Sequence, residues 1–213
     1  MKAPNQPTVA RLGGLFACGL ALLALGSCSL LHPTATPPPA FYSLDNAQRF
    51  ATKPALTAPT TLTLIINPPQ AAAGFDSQRI IYVREPHKLD YFAHSEWVDP
   101  PARMLAALLV AAMERSGAFR SVVAMPGAAA GDLRLDTEII RLQHEFQTQP
   151  SRVRFTLRAT LVDDKTRQVL AAREFEAVAP AASDDPYGGV VAANHAVQTV
   201  LEDLSKFLAE RQQ

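Results

Sequence analysis

Leu25-Gly26-Ser27-Cys28 sets a thiol behind two small residues, directly after an uncharged apolar run from Leu12 to Leu25. Small side chains before a cysteine suit an extended segment entering a peptidase, so the chemistry offered here is modification of a sulfur followed by chain cleavage. Elsewhere the reactive residue types lack catalytic spacing. His32, His87, His94, His144 and His195 are scattered without ligand spacing, and the acid pair Asp184-Asp185 stands where a helix starts, a place its dipole already favours. There is no G-x-S-x-G, no H-E-x-x-H and no phosphate-cradling glycine loop. Gly74, Gly127 and Gly131 read as loop glycines. The residues therefore give no catalytic set, no metal set and no support for an enzyme.

The N-terminus has the layout of an export signal. Lys2 and Arg11 form a positive start, and the apolar run that follows is shorter than the roughly 20 residues of a membrane-spanning helix. With Leu25 to Cys28 closing it, the segment resembles the lipobox of bacterial lipoproteins. That resemblance implies a diacylglyceryl group on the Cys28 sulfur, cleavage ahead of Cys28, and a further acyl chain (palmitate or its like) on the freed amine. Residues 1–27 are then a signal peptide. Cys18 leaves with it, so no disulfide is expected in what remains. One acyl chain binds a bilayer only weakly, whereas three hold firmly. Residue 29 is Ser rather than the Asp that retains such lipoproteins at the inner membrane, which implies the periplasmic face of the outer membrane.

Residues 28–40 continue as a Pro-rich tether. Pro33, Pro37, Pro38 and Pro39 exclude helix and favour extended polyproline geometry, a stand-off of roughly 30 Å. The folded domain is expected over 41–213. Without residues 1–27, which hold Lys2 and Arg11 and no acid, the chain carries 18 basic against 20 acidic residues. That balance argues against a nucleic-acid partner, which needs a strongly basic face.

The elements that must position any site follow from periodicity. "FYSLD" and "TLTLIINPP" (61–69) read as strands, the second stopped by its prolines. "SQRIIYVR" and "KLDYFA" read as a hairpin turning at Glu85, Pro86 and His87. A helix is predicted from Asp99 as N-cap and Pro100 as its first residue, with Leu105, Leu108, Leu109, Ala112 and Met113 as its buried stripe and Gly117 as its stop. "FRSVVAM" is a short strand. "DLRLDTEIIRLQHEF" alternates but changes phase between Ile139 and Ile140, where a bulge would restore one apolar face. "RVRFTLRATLVDD" alternates cleanly and turns through "DDKTR" into "QVLAAREFEAVAP". A last helix begins at Asp185-Pro186, with Val190, Val197, Leu201, Leu204 and Leu208 inward. The expected fold is α+β: a mostly antiparallel sheet of about six to seven strands with two main helices on one face.

Two surfaces stand out as partner or lipid contacts. Arg152, Arg154 and Arg158 share one face of a strand and could meet acidic groups or lipid phosphates. Phe75, at the tip of the small-residue loop "PPQAAAGFDSQR" (68–79), is expected to be exposed on a mobile docking loop. The more unusual stretch is 73–105, which holds Trp97, Tyr82, Tyr91, His87 and His94. Tyr91, Phe92 and Trp97 are expected to cap the core where sheet meets first helix.

"FYSL" after a lipobox and tether, then "DSQRIIYVREPHKLDYFAHSEWVDPP" running into an Ala/Leu helix, resembles the ABC-type transport auxiliary lipoproteins, the PqiC-like family, over about 41–208. The resemblance implies a non-catalytic partner of an MCE-domain protein and of an ABC permease and ATPase, which together move phospholipid between the two membranes. It also implies a homo-oligomeric ring, no cofactor beyond the lipid on Cys28, and Cys28 as the one residue whose role carries over. A structural or assembly lipoprotein for an outer-membrane complex is the competing expectation.

Overall fold

The computed structural model describes residues 38–45, 61–127 and 130–211. The expected signal peptide, Cys28 and most of the expected tether lie outside the described residues. Nine strands and two helices follow one another: β1 (Ala40–Tyr42), β2 (Thr63–Ile66), β3 (Gln70–Ala71), β4 (Arg79–Val83), β5 (Asp90–Trp97), α1 (Pro101–Ser116), β6 (Ser121–Ala124), β7 (Leu133–Glu145), β8 (Arg152–Asp163), β9 (Val169–Pro180) and α2 (Pro186–Glu210). The class is α+β, as expected, with nine strands in place of six or seven.

The long strand β7 is the spine of the sheet. Along one edge it pairs antiparallel with β8, which pairs antiparallel with β9. Along its other edge three short strands lie end to end, all parallel to it: β2 beside Leu133–Leu135, β3 beside Glu138–Ile139 and β4 beside His144–Glu145. β6 extends the sheet beyond β2, and the hairpin partner β5 followed by β1 extends it beyond β4. The sheet is therefore mixed: β7–β8, β8–β9 and the β4–β5 hairpin are antiparallel, and the other pairings are parallel. The break between β2 and β3 has a plain cause. Pro68 and Pro69 have no N–H to donate, so the ladder lapses after Asn67, whose N–H reaches Leu135 O, and resumes at Gln70.

The bulge expected in β7 is present. Ile139 faces Leu157 and Arg141 faces Thr156, leaving Ile140 as the extra residue. Leu133, Leu135 and Ile139 before it, and Leu142 after it, consequently line the same buried face. Opposite them Val153, Phe155, Leu157, Ala159 and Leu161 of β8 are buried in the same core.

Both helices cover this face. All five residues of the α1 stripe and all five of the α2 stripe are buried, together with Ala193, Ala196 and Val200 of α2. Full burial of one such aliphatic side chain is worth about 1.5–3 kcal/mol, so the two stripes contribute heavily to the stability of the domain. The helix ends are set by local chemistry. Gly117 takes φ 66° and closes α1, a left-handed conformation that glycine adopts without penalty. Asp185 caps α2 by accepting the Gly188 N–H at 2.7 Å, with Pro186 next to it. At α1 the start lies one residue later than Asp99 predicts: Pro100 is the N-cap and makes no side-chain cap bond, and Pro101 opens the helix. Asp99 instead takes a hydrogen bond from Arg103 at 2.9 Å.

Candidate functional site

The face of β7–β9 turned away from the helices carries the three sequence-predicted arginines. Cross-strand register decides their partners. Glu138 of β7, Arg158 of β8 and Glu174 of β9 stand directly opposite one another. Arg158 donates to Glu138 Oε2 at 2.9 Å and to Glu174 Oε1 at 2.7 Å. One step along, Arg154 bonds Glu145 Oε1 at 2.7 Å and also pairs with Glu176, whose other oxygen accepts from Thr156 at 2.9 Å. Arg152 adds a bond to Glu145 Oε2 at 3.0 Å. The stripe is thus a closed ladder of ion pairs rather than a bare cationic surface, and its guanidinium groups already hold carboxylates.

Glu145 is the centre of that ladder, with a side chain only 5% exposed. Burial alone pushes its carboxyl up. The hydrogen bonds from Arg154, Gln143 and Arg152 override this and hold it down at about 2. Sequence reasoning named the arginines but not these acids. The signal was there: once the bulge shifts the phase at Ile140, Glu138 before it and Glu145 after it both fall on the outer face.

The same phase shift turns His144 inward. Its ring is buried, and Nε2 lies 2.8 Å from Ser151 Oγ, while Asp184 Oδ1 accepts the Ser151 N–H at 3.3 Å. Ser, His and Asp therefore meet, but not in the order that activates a nucleophile. There the acid must orient the second imidazole nitrogen. Here Asp184 bonds the serine, and His144 Nδ1 has no hydrogen-bond partner. Ser151 is 0% exposed, and the adjoining cavity, lined by Trp97, Leu142, His144 and Gly189, is about 10 Å³, which is room for no more than one water. Burial pushes the His144 pKa down, opposed by the charges of Asp184 and Asp185, which favours the neutral ring. Gly189 permits this packing, since a Cβ there would stand 2.5 Å from His144 Nδ1. The cluster fastens the start of α2 to the β7–β8 turn. Among the described residues no group of three or more His, Cys, Asp or Glu is placed to hold a metal ion.

Phe75 is half-buried rather than exposed at a loop tip. Its N–H closes a turn on Ala72 O at 3.0 Å, and the stretch expected to be loop contains β3, whose following residue Ala72 bonds Ile139 O at 2.8 Å. Small residues without periodicity concealed a two-residue strand. In the stretch 73–105, Trp97 (3% exposed) joins the core and Phe92 packs partly against it, as expected. Tyr91 does not cap the core. It is 50% exposed on the β4–β5 hairpin, beneath the Arg79 guanidinium at 4.2 Å.

An open groove of about 400 Å³ runs between β1 and α2, lined by Phe41, Tyr42, Tyr187 and His195 among others. Asn194 of α2 latches the chain at its edge, accepting the Asp45 N–H at 2.8 Å and donating to Ser43 O at 3.2 Å. Among the described residues no helix is long and apolar enough to cross a membrane.

Comparison with known proteins agrees with this architecture. Protein XCC0632 from Xanthomonas campestris superposes with a TM-score of 0.72 at 24% identity, over 81% of this chain and 95% of that one. A second solved structure, of an uncharacterized protein, gives 0.61 at 12% identity over 80% and 98%. At those identities the likeness is one of fold. No curated protein matches the chain. The family model described as ABC-type transport auxiliary lipoprotein component matches residues 42–205, from the end of β1 into the last turns of α2, and the chain belongs to that family.

Proposed function

We propose that this protein is a lipoprotein anchored through Cys28 to the periplasmic face of the outer membrane, and that it serves, without catalysis, as the auxiliary component of an MCE-type ABC system moving phospholipid between the membranes. The observation that carries this reading is the order of parts in one chain. An export signal ends at Leu25–Cys28, a Pro-rich segment follows, and a domain of the transport-auxiliary family comes next. The partners are the MCE-domain protein and, through it, the permease and ATPase. Self-association into a ring is supported by the free edge of β9. Among the described residues β9 pairs only with β8, and it exposes Val169, Leu170 and Val178.

The anchoring is tested on the protein purified from membranes. Its mass should begin at Cys28 with added acyl groups, and it should sediment with the outer membrane on a density gradient. Cys28→Ser should release it to the soluble periplasm. An unmodified N-terminus ahead of residue 28 contradicts the reading, and so does a Cys28→Ser protein that stays in the membrane fraction. Copies that fractionate with the outer membrane yet never meet an MCE protein would favour the structural-lipoprotein alternative.

A further inference from the structure

We infer that the tip of the β4–β5 hairpin is a second, non-covalent membrane contact, in which Leu89 and Tyr91 enter the headgroup layer and Arg79 and Arg84 hold lipid phosphates. The inference rests on the anchoring proposed above and adds to it a surface of the folded domain. The two arginines differ in kind from those of β8. Among the described residues neither makes an ion pair, although Glu96 faces Arg79 across the β4–β5 ladder. Arg79 lies 4.2 Å over the Tyr91 ring, and Arg84 lies 5.2 Å over Tyr82 and 5.5 Å over Phe146. A guanidinium stacked on a ring keeps its N–H groups pointing outward, in a fork that matches phosphate oxygens. Lys88, by contrast, is taken up between Glu85 at 3.8 Å and Asp90 at 3.6 Å.

Apolar surface accompanies these cations. Leu89 is 47% exposed at the turn and Tyr91 stands one pair behind the closing pair Tyr82–Asp90. An exposed leucine, a tyrosine with its hydroxyl end, and arginines stacked on rings rather than held in ion pairs make the composition of an interfacial contact. Arg84, the residue after β4, stacks on Tyr82, and Arg79, the first residue of β4, stacks on Tyr91, the cross-strand partner of Ile81. Successive residues Ile81 and Tyr82 point to opposite faces, so the two guanidinium groups stand on opposite faces of the hairpin, each over a ring at or next to its closing pair.

Chain direction supplies the argument for a membrane rather than an acidic protein. β1 runs parallel to β5, with Ala40 opposite Ser95 and Tyr42 opposite Trp97. The chain therefore approaches β1 from the end of β5 that carries the hairpin turn. Eleven residues separate Cys28 from Ala40, and a chain of that length spans roughly 30 Å when extended, so a lipid on Cys28 allows the domain to meet a bilayer with that end.

The test places a tryptophan at the tip of the full protein, Leu89→Trp, and, as a control, on the far edge strand, Val178→Trp. Trp97 is buried and gives the same background in both. The protein is attached to vesicles of phosphatidylethanolamine and phosphatidylglycerol (three to one) through its own acyl groups, or through a maleimide lipid coupled to Cys28 if the mass shows no acylation. A failure of the anchoring reading is thus seen in the mass and does not stop the measurement. With brominated lipid in the vesicles, Leu89→Trp should lose most of its added emission while Val178→Trp keeps its own. Adding Arg79→Glu and Arg84→Glu should restore the tip signal. Unquenched emission at position 89, equal quenching at both positions, or quenching at 89 that needs added membrane proteins would overturn the inference.

Discussion

Arginines occur in two settings on this domain, and the contrast separates internal scaffolding from available surface. On β8, Arg152, Arg154 and Arg158 sit between two strands that present glutamates in register, so each cation is engaged by Glu138, Glu145, Glu174 or Glu176. At the two ends of β4, Arg79 and the following Arg84 stack on aromatic rings, and among the described residues neither is ion-paired, although Glu96 stands opposite Arg79 across the β4–β5 ladder. The side chain is the same; whether a cross-strand acid closes on it, as Glu138 and Glu174 do on Arg158 and Glu96 does not on Arg79, decides whether its charge is spent inside the domain or offered to a ligand. A row of arginines along one strand is therefore weak grounds for a binding face until its cross-strand neighbours are known.

The most severe way to break this contrast is to remove the acid at the centre of the ladder. Glu145→Gln leaves Arg154 and Arg152 facing a neutral amide in a half-buried site, and should lower stability by about 3 kcal/mol in denaturant titration. A loss no larger than that of an ordinary surface change would mean the ladder is ornamental.

Acid titration sharpens the same point. Because its carboxyl is held at about 2, Glu145 contributes its full stability above pH 4.5 and loses it as the pH falls from there towards 2, on the order of 3 kcal/mol as a ceiling. His144 acts earlier. Its pKa is lowered by burial, so the unfolded chain takes up a proton below about pH 6.5 that the folded ring resists, and stability declines as pH drops through that range. Denaturation midpoints at pH 7.5, 5.5 and 3.5 should fall in two stages. In Glu145→Gln the later stage should flatten and the earlier one persist.

The smallest effect belongs to the hairpin. Arg79→Gln with Arg84→Gln should cost no more than about 1 kcal/mol of stability, since stacked exposed guanidinium groups contribute little to folding. The same pair should weaken contact with anionic vesicles, at roughly fivefold in affinity for each charge removed. A large loss of stability would show that these arginines, too, belong to the scaffold.

Much of this was legible from residue order. Both helices, their buried stripes, the Asp185 cap, the Gly117 stop and the bulge at Ile140 all leave local periodic signals, and the long antiparallel strands carry their register in their alternation. Less legible was whatever depends on a distant strand. β3 has two residues and no pattern, and it exists only because β7 offers it a free edge. The stacking of three parallel strands along β7 cannot be read from any of them singly. The partner acids of the arginine stripe, and the meeting of His144 with Ser151 and Asp184, follow from register across strands far apart in sequence. Phe75 and Tyr91 exchanged their expected exposures for the same reason, one tucked in by the β3 turn and the other held out on the hairpin.

The central claim, that this domain serves an MCE-type ABC transport system from an outer-membrane anchor, is tested most directly by purifying the lipidated protein from cross-linked envelopes and identifying what comes with it. The account predicts an MCE-domain protein together with its permease and ATPase, all of them lost with Cys28→Ser. Recovery of only outer-membrane barrel components, with no MCE protein at any cross-linker length, would contradict it.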